Sequence, residues 1–188
     1  MRIAIIGGGL AGTACSYVLK QAGAEPVIYE AGQTLAPGAS GNNRGLYNPR
    51  LSAERNAQSD FYASAFALAV QTFASLKNIE WNRCGALHLM NDEKRSKRFR
   101  QTVQNWNWPS EHMRLVGAAE ASEIAGVETR YDALYLPDSG TVSPKNICTA
   151  YAENIETHLN KKIETLEEIK ADAVLLACGV GVKNFYPD

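Results

Sequence analysis

The sequence predicts an α/β fold, with a Rossmann-like βαβ unit at the start of the chain and a small α+β portion inserted after it. Three observations predict this fold. The apolar run Arg2 to Ile6 ends at three glycines and is followed by apolar residues at helical spacing. A second apolar run, Pro26 to Tyr29, ends at the acid Glu30. The uninterrupted run Ala173 to Ala177 is typical of a strand buried on both faces of a parallel sheet.

Composition limits the class of protein. The 188 residues carry a net charge of -1, with 45% hydrophobic and 21% charged residues, which is typical of a folded domain and excludes a collagen-like or largely disordered chain. No apolar run approaches the roughly 18 residues that span a bilayer. The cysteines form no C-x-x-C pair, so we expect buried thiols in a reducing, cytoplasmic compartment, without metal or membrane; they are Cys15, Cys84, Cys148 and Cys178.

The first helix is predicted to end near Gly23, because glycine commonly follows the last helical turn. Its apolar positions fall on one face, which we expect to be buried: Ala11, Ala14, Cys15, Val18, Leu19 and Ala22. The stretch from Pro37 to Pro49 has too few apolar residues for a regular element and predicts a long loop.

Further along, helical spacing predicts a helix over Asp60 to Leu76, with Ser59 or Asp60 as its N-cap, and a charged helix over about Asp92 to Trp106. Ser143 and Pro144 predict a helix start, with an apolar face of Cys148, Tyr151, Ala152, Ile155 and Leu159. The predicted strands are Ala86 to Met90, Arg114 to Gly117, Ala133 to Leu136 and Lys162 to Leu166. We predict a discontinuous dinucleotide-binding domain over 1–52 and 140–188, with 53–139 as the inserted substrate-domain portion.

The glycine motif between the first strand and the first helix predicts a dinucleotide site. In Gly7-x-Gly9-x-x-Gly12 the first glycine permits the turn, the second lets the backbone approach a pyrophosphate, and the third permits close helix packing. Glu30, 18 residues beyond Gly12, is placed to accept hydrogen bonds from ribose hydroxyls and to repel a 2′-phosphate. FAD or NAD is therefore favoured over NADP, and the alternative is a glycine turn without a ligand.

Two later segments favour an extended cofactor. The segment Gly38 to Gly45 offers small residues and backbone donors, although a flexible surface loop would have the same composition. Gly179 ends the run Leu176 to Gly179, where it would let the chain turn beside a bound dinucleotide.

These residues resemble the D-amino-acid-oxidase-like flavoprotein superfamily in IAIIGGGLAG, Glu30, GASGNNRG and ADAVLLACG. The runs GASGNNRGLYNPRLS, WNRCGALHL and LYLPDSGTVSPKNIC resemble, more narrowly, the FAD-dependent oxidoreductase domain of the bacterial tRNA 5-methylaminomethyl-2-thiouridine biosynthesis bifunctional enzymes. The resemblance implies a GR2-type FAD-binding domain that oxidatively removes a carboxymethyl group, as glyoxylate, from the tRNA wobble uridine. It also implies a covalent or functional link to a methyltransferase domain, and it leads us to expect that the family's C-terminal half is absent.

The resemblance carries over residue by residue. It implies adenosine diphosphate contacts for Gly7, Gly9, Gly12 and Glu30. It implies contacts near the ribityl chain and flavin for Ser40, Gly41, Asn42 and Gly45, and a late contact for Gly179.

The residues that bind the substrate are harder to predict than those that bind the cofactor, and the sequence does not identify a catalytic residue. Tyr47 and Arg50 are the candidates for binding a substrate carboxylate. The cations Lys94, Arg95, Lys97, Arg98 and Arg100, followed by Trp106 and Trp108, would suit RNA, but a solvated helix with one apolar stripe is favoured. His88, His112 and His158 are interpreted as isolated surface or strand histidines. The alternative functions are an FAD-dependent oxidase or dehydrogenase for glycine, sarcosine or a D-amino acid, and a non-catalytic nucleotide-binding fragment.

Overall fold

A computed structural model describes residues 1–186 of the chain. Two compact units are present: unit 1 comprises residues 1–45, 77–80 and those from 142 onward, and unit 2 comprises residues 46–76 and 81–141. The helices are α1 (Leu10–Gln21), α2 (Ala57–Ser75), α3 (Glu93–Trp106), α4 (Ala118–Ala125) and α5 (Pro144–Tyr151). The strands are β1 (Arg2–Ile6), β2 (Glu25–Tyr29), β3 (Gly45–Tyr47), β4 (Trp81–Asn82), β5 (Ala86–Leu89), β6 (Arg114–Val116), β7 (Ala133–Leu136), β8 (Gly140–Val142), β9 (Glu156–His158) and β10 (Ala173–Leu176). The functional division of the chain into FAD-binding and substrate portions stays a prediction.

Unit 1 is built on a parallel sheet in the order β10-β1-β2-β9. Its centre is apolar, with Ile5 and Ile28 fully buried, and α1 connects β1 to β2 as the sequence predicts. The α/β fold class is confirmed. The prediction that the run from Ala173 is buried on both faces is wrong, because β10 is an edge strand among the described residues and Val174 is 38% exposed.

Helix α1 buries a different face from the predicted apolar one. Gly12, Thr13 and Ser16 are buried, whereas Ala11 and Val18 are exposed. The two hydroxyls donate to carbonyls of their own helix, Thr13 to Gly9 at 2.9 Å and Ser16 to Thr13 at 2.7 Å, so burial leaves neither unpaired. Small residues on this face let α1 pack closely against α5.

The end of α5 also differs from the prediction. The helix starts at Pro144, with the Ser143 hydroxyl accepting from the Asn146 N–H, but it ends at Tyr151. Asn154 then adopts a left-handed φ of 59°, which turns the chain into β9. Ile155 and Leu159 therefore lie outside the helix. The predicted strand over 162–166 is absent as well, since that stretch is irregular and leads into a 3-10 turn at Leu166–Glu168.

Unit 2 contains the small sheets β3-β8-β4 and β5-β7-β6. Helix α2 begins earlier than predicted: Asn56 is its N-cap, accepting from the Ser59 N–H at 2.9 Å, while the Ser59 hydroxyl accepts from the Asn56 N–H at 3.0 Å. The predicted loop over 37–49 contains a short 3-10 turn and the strand β3. This strand forms because Tyr47 packs against Phe73 and Trp81, which anchors a segment of otherwise polar composition.

Candidate cofactor site

A cavity of about 710 Å³ opens in unit 1 at the carboxyl ends of β1, β2 and β10. This is the edge at which open parallel sheets bind their ligands. Five of the predicted cofactor residues line it, namely Gly7, Gly9, Glu30, Ser40 and Gly179. The other four, Gly12, Gly41, Asn42 and Gly45, do not.

The turn between β1 and α1 requires two of its glycines for steric reasons. Gly7 has a φ of 111°, and a Cβ added to it would lie 2.5 Å from the Ala177 carbonyl oxygen. A Cβ on Gly12 would lie 1.9 Å from the Gly7 carbonyl oxygen. Gly12 therefore lets α1 start directly against the end of β1, and side chains at these two positions would displace the backbone that forms the cavity floor.

Gly9 differs from its neighbours because space is open beside it. It is the N-cap of α1 and has no side chain to cap the helix. The Leu10 N–H donates instead to the Ser40 hydroxyl at 3.0 Å, and a Cβ on Gly9 would approach only the Ser40 side chain, at 3.2 Å from the oxygen. Leu10 and Ala11 of the first helical turn line the cavity, so the positive end of the helix dipole lies at this space.

Glu30 is held by backbone donors on both of its carboxylate oxygens. Oε2 accepts from the Gly8 N–H at 2.8 Å and Oε1 accepts from the Gly32 N–H at 2.7 Å, and the residue is 8% exposed. A carboxylate has about four lone-pair positions, so two remain for further donors. The arrangement fixes an anionic acceptor at the wall of the cavity.

The remaining predicted residues are placed by local contacts. A Cβ on Gly41 would lie 2.7 Å from the Ala36 carbonyl oxygen. A Cβ on Gly45 would lie 3.1 Å from a ring carbon of Pro144, so a side chain there would press on the proline. The exposed Asn42 amide donates weakly to Ala39 at 3.4 Å. Gly179 has a φ of 58°, which permits the turn after β10.

Sequence reasoning missed the segment after β9. Lys161, Lys162 and Ile163 line the cavity, and the Lys161 N–H donates to the Glu30 carbonyl at 2.8 Å. The lysine side chains face Glu168 at 3.8 Å and Glu164 at 2.9 Å respectively. The sequence does show two consecutive lysines here. Because we predicted a separate strand over 162–166, we did not interpret these lysines as part of the site.

The two substrate candidates lie in unit 2. The Tyr47 hydroxyl is buried and has no hydrogen-bond partner among residues 1–186, and burial raises the pKa of this phenol above its ordinary value of 10.0. Arg50 is exposed, with its guanidinium carbon 5.5 Å from the centre of the Tyr62 ring. Their predicted role in binding a carboxylate stays a prediction.

The other polar candidates are structural or exposed. Trp106 is 4% exposed and its indole N–H donates to Ser52 at 2.8 Å, so its face is not free to stack on a base. Among the four cysteines only Cys148 is buried, and the expectation of burial is wrong for the exposed Cys84. The described residues contain no group of three potential metal ligands and no helix whose length and apolarity would allow it to cross a bilayer.

Comparison with known protein families identifies the family to which this chain belongs. The family model described as "FAD dependent oxidoreductase" (DAO) matches residues 2–187, and the chain therefore belongs to this family of flavoenzymes. Among curated relatives, the tRNA 5-methylaminomethyl-2-thiouridine biosynthesis bifunctional protein MnmC of Hahella chejuensis is 32% identical over 94% of this chain and 29% of that protein. The MnmC of Nitrosospira multiformis is 36% identical over 78% of this chain and 24% of that protein.

Solved structures show the same fold. Glycine oxidase from Geobacillus kaustophilus matches with a TM-score of 0.71 and 22% identity, over 99% of this chain and 58% of that chain. Iminodiacetate oxidase from Chelativorans sp. BNC1 matches with a TM-score of 0.74 and 19% identity, over 99% of this chain and 57% of that chain. The chain spans less than a third of the length of these curated relatives and somewhat more than half of these solved structures.

Proposed function

We propose that the chain supplies the FAD-binding portion of an oxidoreductase that removes the carboxymethyl group, as glyoxylate, from carboxymethylaminomethyl-uridine at the tRNA wobble position. The observation that carries the cofactor part is the cavity at the start of α1, where Gly9 leaves the helix N-terminus open. The curated relatives are named for tRNA 5-methylaminomethyl-2-thiouridine biosynthesis, which supports the tRNA part. A tRNA substrate would place the protein in the cytoplasm.

The residues of this cavity fit FAD. A diphosphate needs backbone N–H donors and room beside them, which Gly9 and the first turn of α1 provide. Ser40, now bonded to the Leu10 N–H, would exchange that contact for one to the cofactor. Lys161 and Lys162 line the same cavity, and each is paired with a glutamate.

Glu30 would select the nucleotide. The free lone pairs of its carboxylate would accept from the adenosine ribose hydroxyls, while its negative charge would repel a 2′-phosphate. Family membership favours FAD over NAD.

The protein's part in the reaction is positioning. When bound, FAD would supply the two-electron acceptor for oxidation of the N–CH₂ bond next to the substrate amine. The turn at Gly7 to Gly12 and the carboxylate of Glu30 would hold the cofactor's diphosphate and sugar. Tyr47 and Arg50 remain candidates for the substrate carboxylate.

The cofactor proposal is tested by titrating the purified chain with FAD and following flavin fluorescence, with FMN and NAD in parallel. We expect Gly9→Val to lose FAD binding, because the added methyl groups would occupy the space beside the helix N-terminus. Gly117→Val is a matched control: Gly117 is also an N-cap glycine in extended conformation without a side-chain cap, and it begins α4 in unit 2. Equal losses in both variants, or FAD retention in Gly9→Val, would contradict the proposal.

The substrate proposal needs a separate measurement. Wobble nucleosides from cells lacking the gene should accumulate the carboxymethylaminomethyl form, as detected by mass spectrometry. Turnover of free glycine, sarcosine or a D-amino acid without RNA would favour the amino-acid oxidase alternative. A chain that neither binds flavin nor changes the nucleosides would favour the non-catalytic fragment.

A further inference from the structure

A basic cleft lies beside α3 in unit 2. The predicted cofactor residues are not among the residues that line it. It consists of two adjoining cavities of about 400 Å³ and 260 Å³ that share His88, Arg98 and Phe99. Arg95 lines the first cavity and Arg50 lines the second. In the part of the chain that the structure describes, no aspartate or glutamate lines either cavity, so the cleft is cationic.

Two of its cations, Arg98 and Arg50, lack the carboxylate partners that the other arginines of α3 have. On the same helix, Arg95 pairs with Asp92 at 3.5 Å and Arg100 pairs with Asp132 at 3.7 Å. Arg98 and Arg50 are exposed, and neither forms a salt bridge within residues 1–186. The Arg98 guanidinium carbon lies 4.7 Å from the centre of the Phe99 ring, and this contact restricts where the charge is presented.

His88 lines both cavities and is orientated by a short chain of polar side chains. The Ser139 hydroxyl donates to Asn48 Oδ1 at 3.1 Å, which leaves the Asn48 amide nitrogen to donate to His88 Nε2, also at 3.1 Å. The neutral ring then carries its proton on Nδ1. Burial, followed by the charge of Arg98, lowers the pKa of His88 below its ordinary value of 6.5.

We propose that Arg98, Arg50 and His88 bind one phosphate group of an RNA substrate, an assignment that replaces the carboxylate role considered above for Arg50 and leaves Tyr47 as the candidate for that role. The inference that the phosphate belongs to RNA rests on the proposed function. The inference that the cleft binds a phosphate rests on the residues of the cleft. A guanidinium matches phosphate in a bidentate manner, and two of them without partners beside a histidine form a site for an oxyanion. Phosphate is favoured over a single carboxylate because α3 continues the positive charge along the chain with Lys94 and Lys97, as a polyanionic backbone requires.

Phosphate binding should be coupled to protonation of His88. The charge of Arg98 disfavours the imidazolium, whereas Arg95, which lines the same cleft, is paired with Asp92, and Arg50 lines only the second cavity. Among the described residues no carboxylate lines the cleft.

A bound phosphate would add the missing negative charge and raise the pKa of His88. The new proton would lie on Nε2, so the Asn48 amide would turn, its oxygen accepting from His88 and its nitrogen donating to the Ser139 hydroxyl. By linkage, affinity for a phosphodiester, which does not itself titrate near neutral pH, should increase as the pH falls towards the pKa of His88.

The first test is an NMR titration of the histidine ring protons of the full chain with inorganic phosphate, using chloride at matched ionic strength as the reference. We expect a higher pKa for His88 in phosphate. His112 and His158 are internal controls, because each already contacts a carboxylate, Asp138 at 2.5 Å and Glu156 at 2.8 Å. Equal shifts in all three histidines, or none in His88, would overturn the proposal.

The second test compares two variants of α3. Arg98→Gln should weaken phosphate binding about tenfold, since a charge-assisted hydrogen-bond partner is lost. Lys97→Gln removes the same charge from the adjacent residue, which lines neither cavity, and should change the affinity less than twofold. Equal weakening of phosphate binding in both variants would show that general charge attraction, and not a specific site, accounts for the binding, and would overturn the proposal.

The third test identifies the source of the phosphate. A short single-stranded RNA should displace inorganic phosphate from wild type and should bind more weakly to Arg98→Gln than to Lys97→Gln. Failure of RNA to compete, or a larger His88 response to iminodiacetate than to phosphate, would overturn the assignment to an RNA phosphate. None of these measurements requires flavin, so they can fail or succeed independently of the cofactor proposal.

Discussion

Glu30 accepts a hydrogen bond from the Gly8 N–H at 2.8 Å, linking the end of β2 to the turn between β1 and α1. Its second oxygen binds the Gly32 N–H at 2.7 Å. The acid predicted to hold a ribose therefore also holds the glycine turn in place. This double role means that its substitution should affect folding even when no cofactor is present.

Glu30→Gln should lower the free energy of unfolding by about 1–3 kcal/mol, because glutamine has one acceptor oxygen and would turn an NH₂ group towards one of the two backbone donors. Urea denaturation of the chain without cofactor measures this change. Glu25→Gln is the matched control, since Glu25 starts the same strand, is exposed and uses its side chain in no hydrogen bond among the described residues. An unchanged midpoint in Glu30→Gln would contradict the structural role.

Gly12→Ala should destabilise unit 1 by about 1–3 kcal/mol, since its Cβ would lie 1.9 Å from the Gly7 carbonyl oxygen and the backbone would have to move. Gly117→Ala is the control, because its Cβ would meet nothing nearer than the Asp132 carboxylate at 3.9 Å. We expect the control to change stability by less than about 0.5 kcal/mol. Thermal unfolding of both variants tests this, and similar losses would show that Gly12 is not specifically required.

The sequence predicts the parts of the fold in which local pattern and tertiary role agree. β1 and β2 are apolar runs bounded by glycine or an acid, and the structure places them as predicted. β3, β4 and β8 have two or three residues each, too few for a period to be recognised. The end of α5 depends on the left-handed φ of Asn154, which composition does not reveal.

The residues of the candidate site also fall into two groups, those that belong to local sequence motifs and those brought together by tertiary contacts. The glycine spacing and Glu30 are local motifs, so the sequence could place them at one end of the sheet. The bond from Leu10 to Ser40 joins residues 30 positions apart, and the Lys161 bond to Glu30 depends on β9 pairing with β2. Such contacts follow from sheet topology, which the sequence did not predict in detail.

Tyr47→Phe should raise the free energy of unfolding by up to about 1–2 kcal/mol, because it removes a buried hydroxyl that has no partner. Burial raises the pKa of Tyr47, so the wild type should lose stability as the pH rises through 10, and the variant should lack that contribution. Tyr62→Phe is the control for a half-exposed tyrosine of unit 2. A loss of stability in Tyr47→Phe would show that its hydroxyl is bonded in solution.

His88 should make folding depend on pH near neutrality. Because burial and Arg98 lower its pKa in the folded chain, the unfolded chain binds more protons between the two pKa values. Its contribution to stability is therefore complete well above pH 6.5 and is lost as the pH falls through 6.5 towards the folded pKa. His88→Gln should remove this component, so the difference in unfolding free energy between wild type and variant should shrink or change sign from pH 8 to pH 5.

Urea denaturation at several pH values measures this difference, with His112→Gln as the control for an exposed histidine. A difference between wild type and His88→Gln that stays constant across this range would show that His88 does not titrate in a shifted environment.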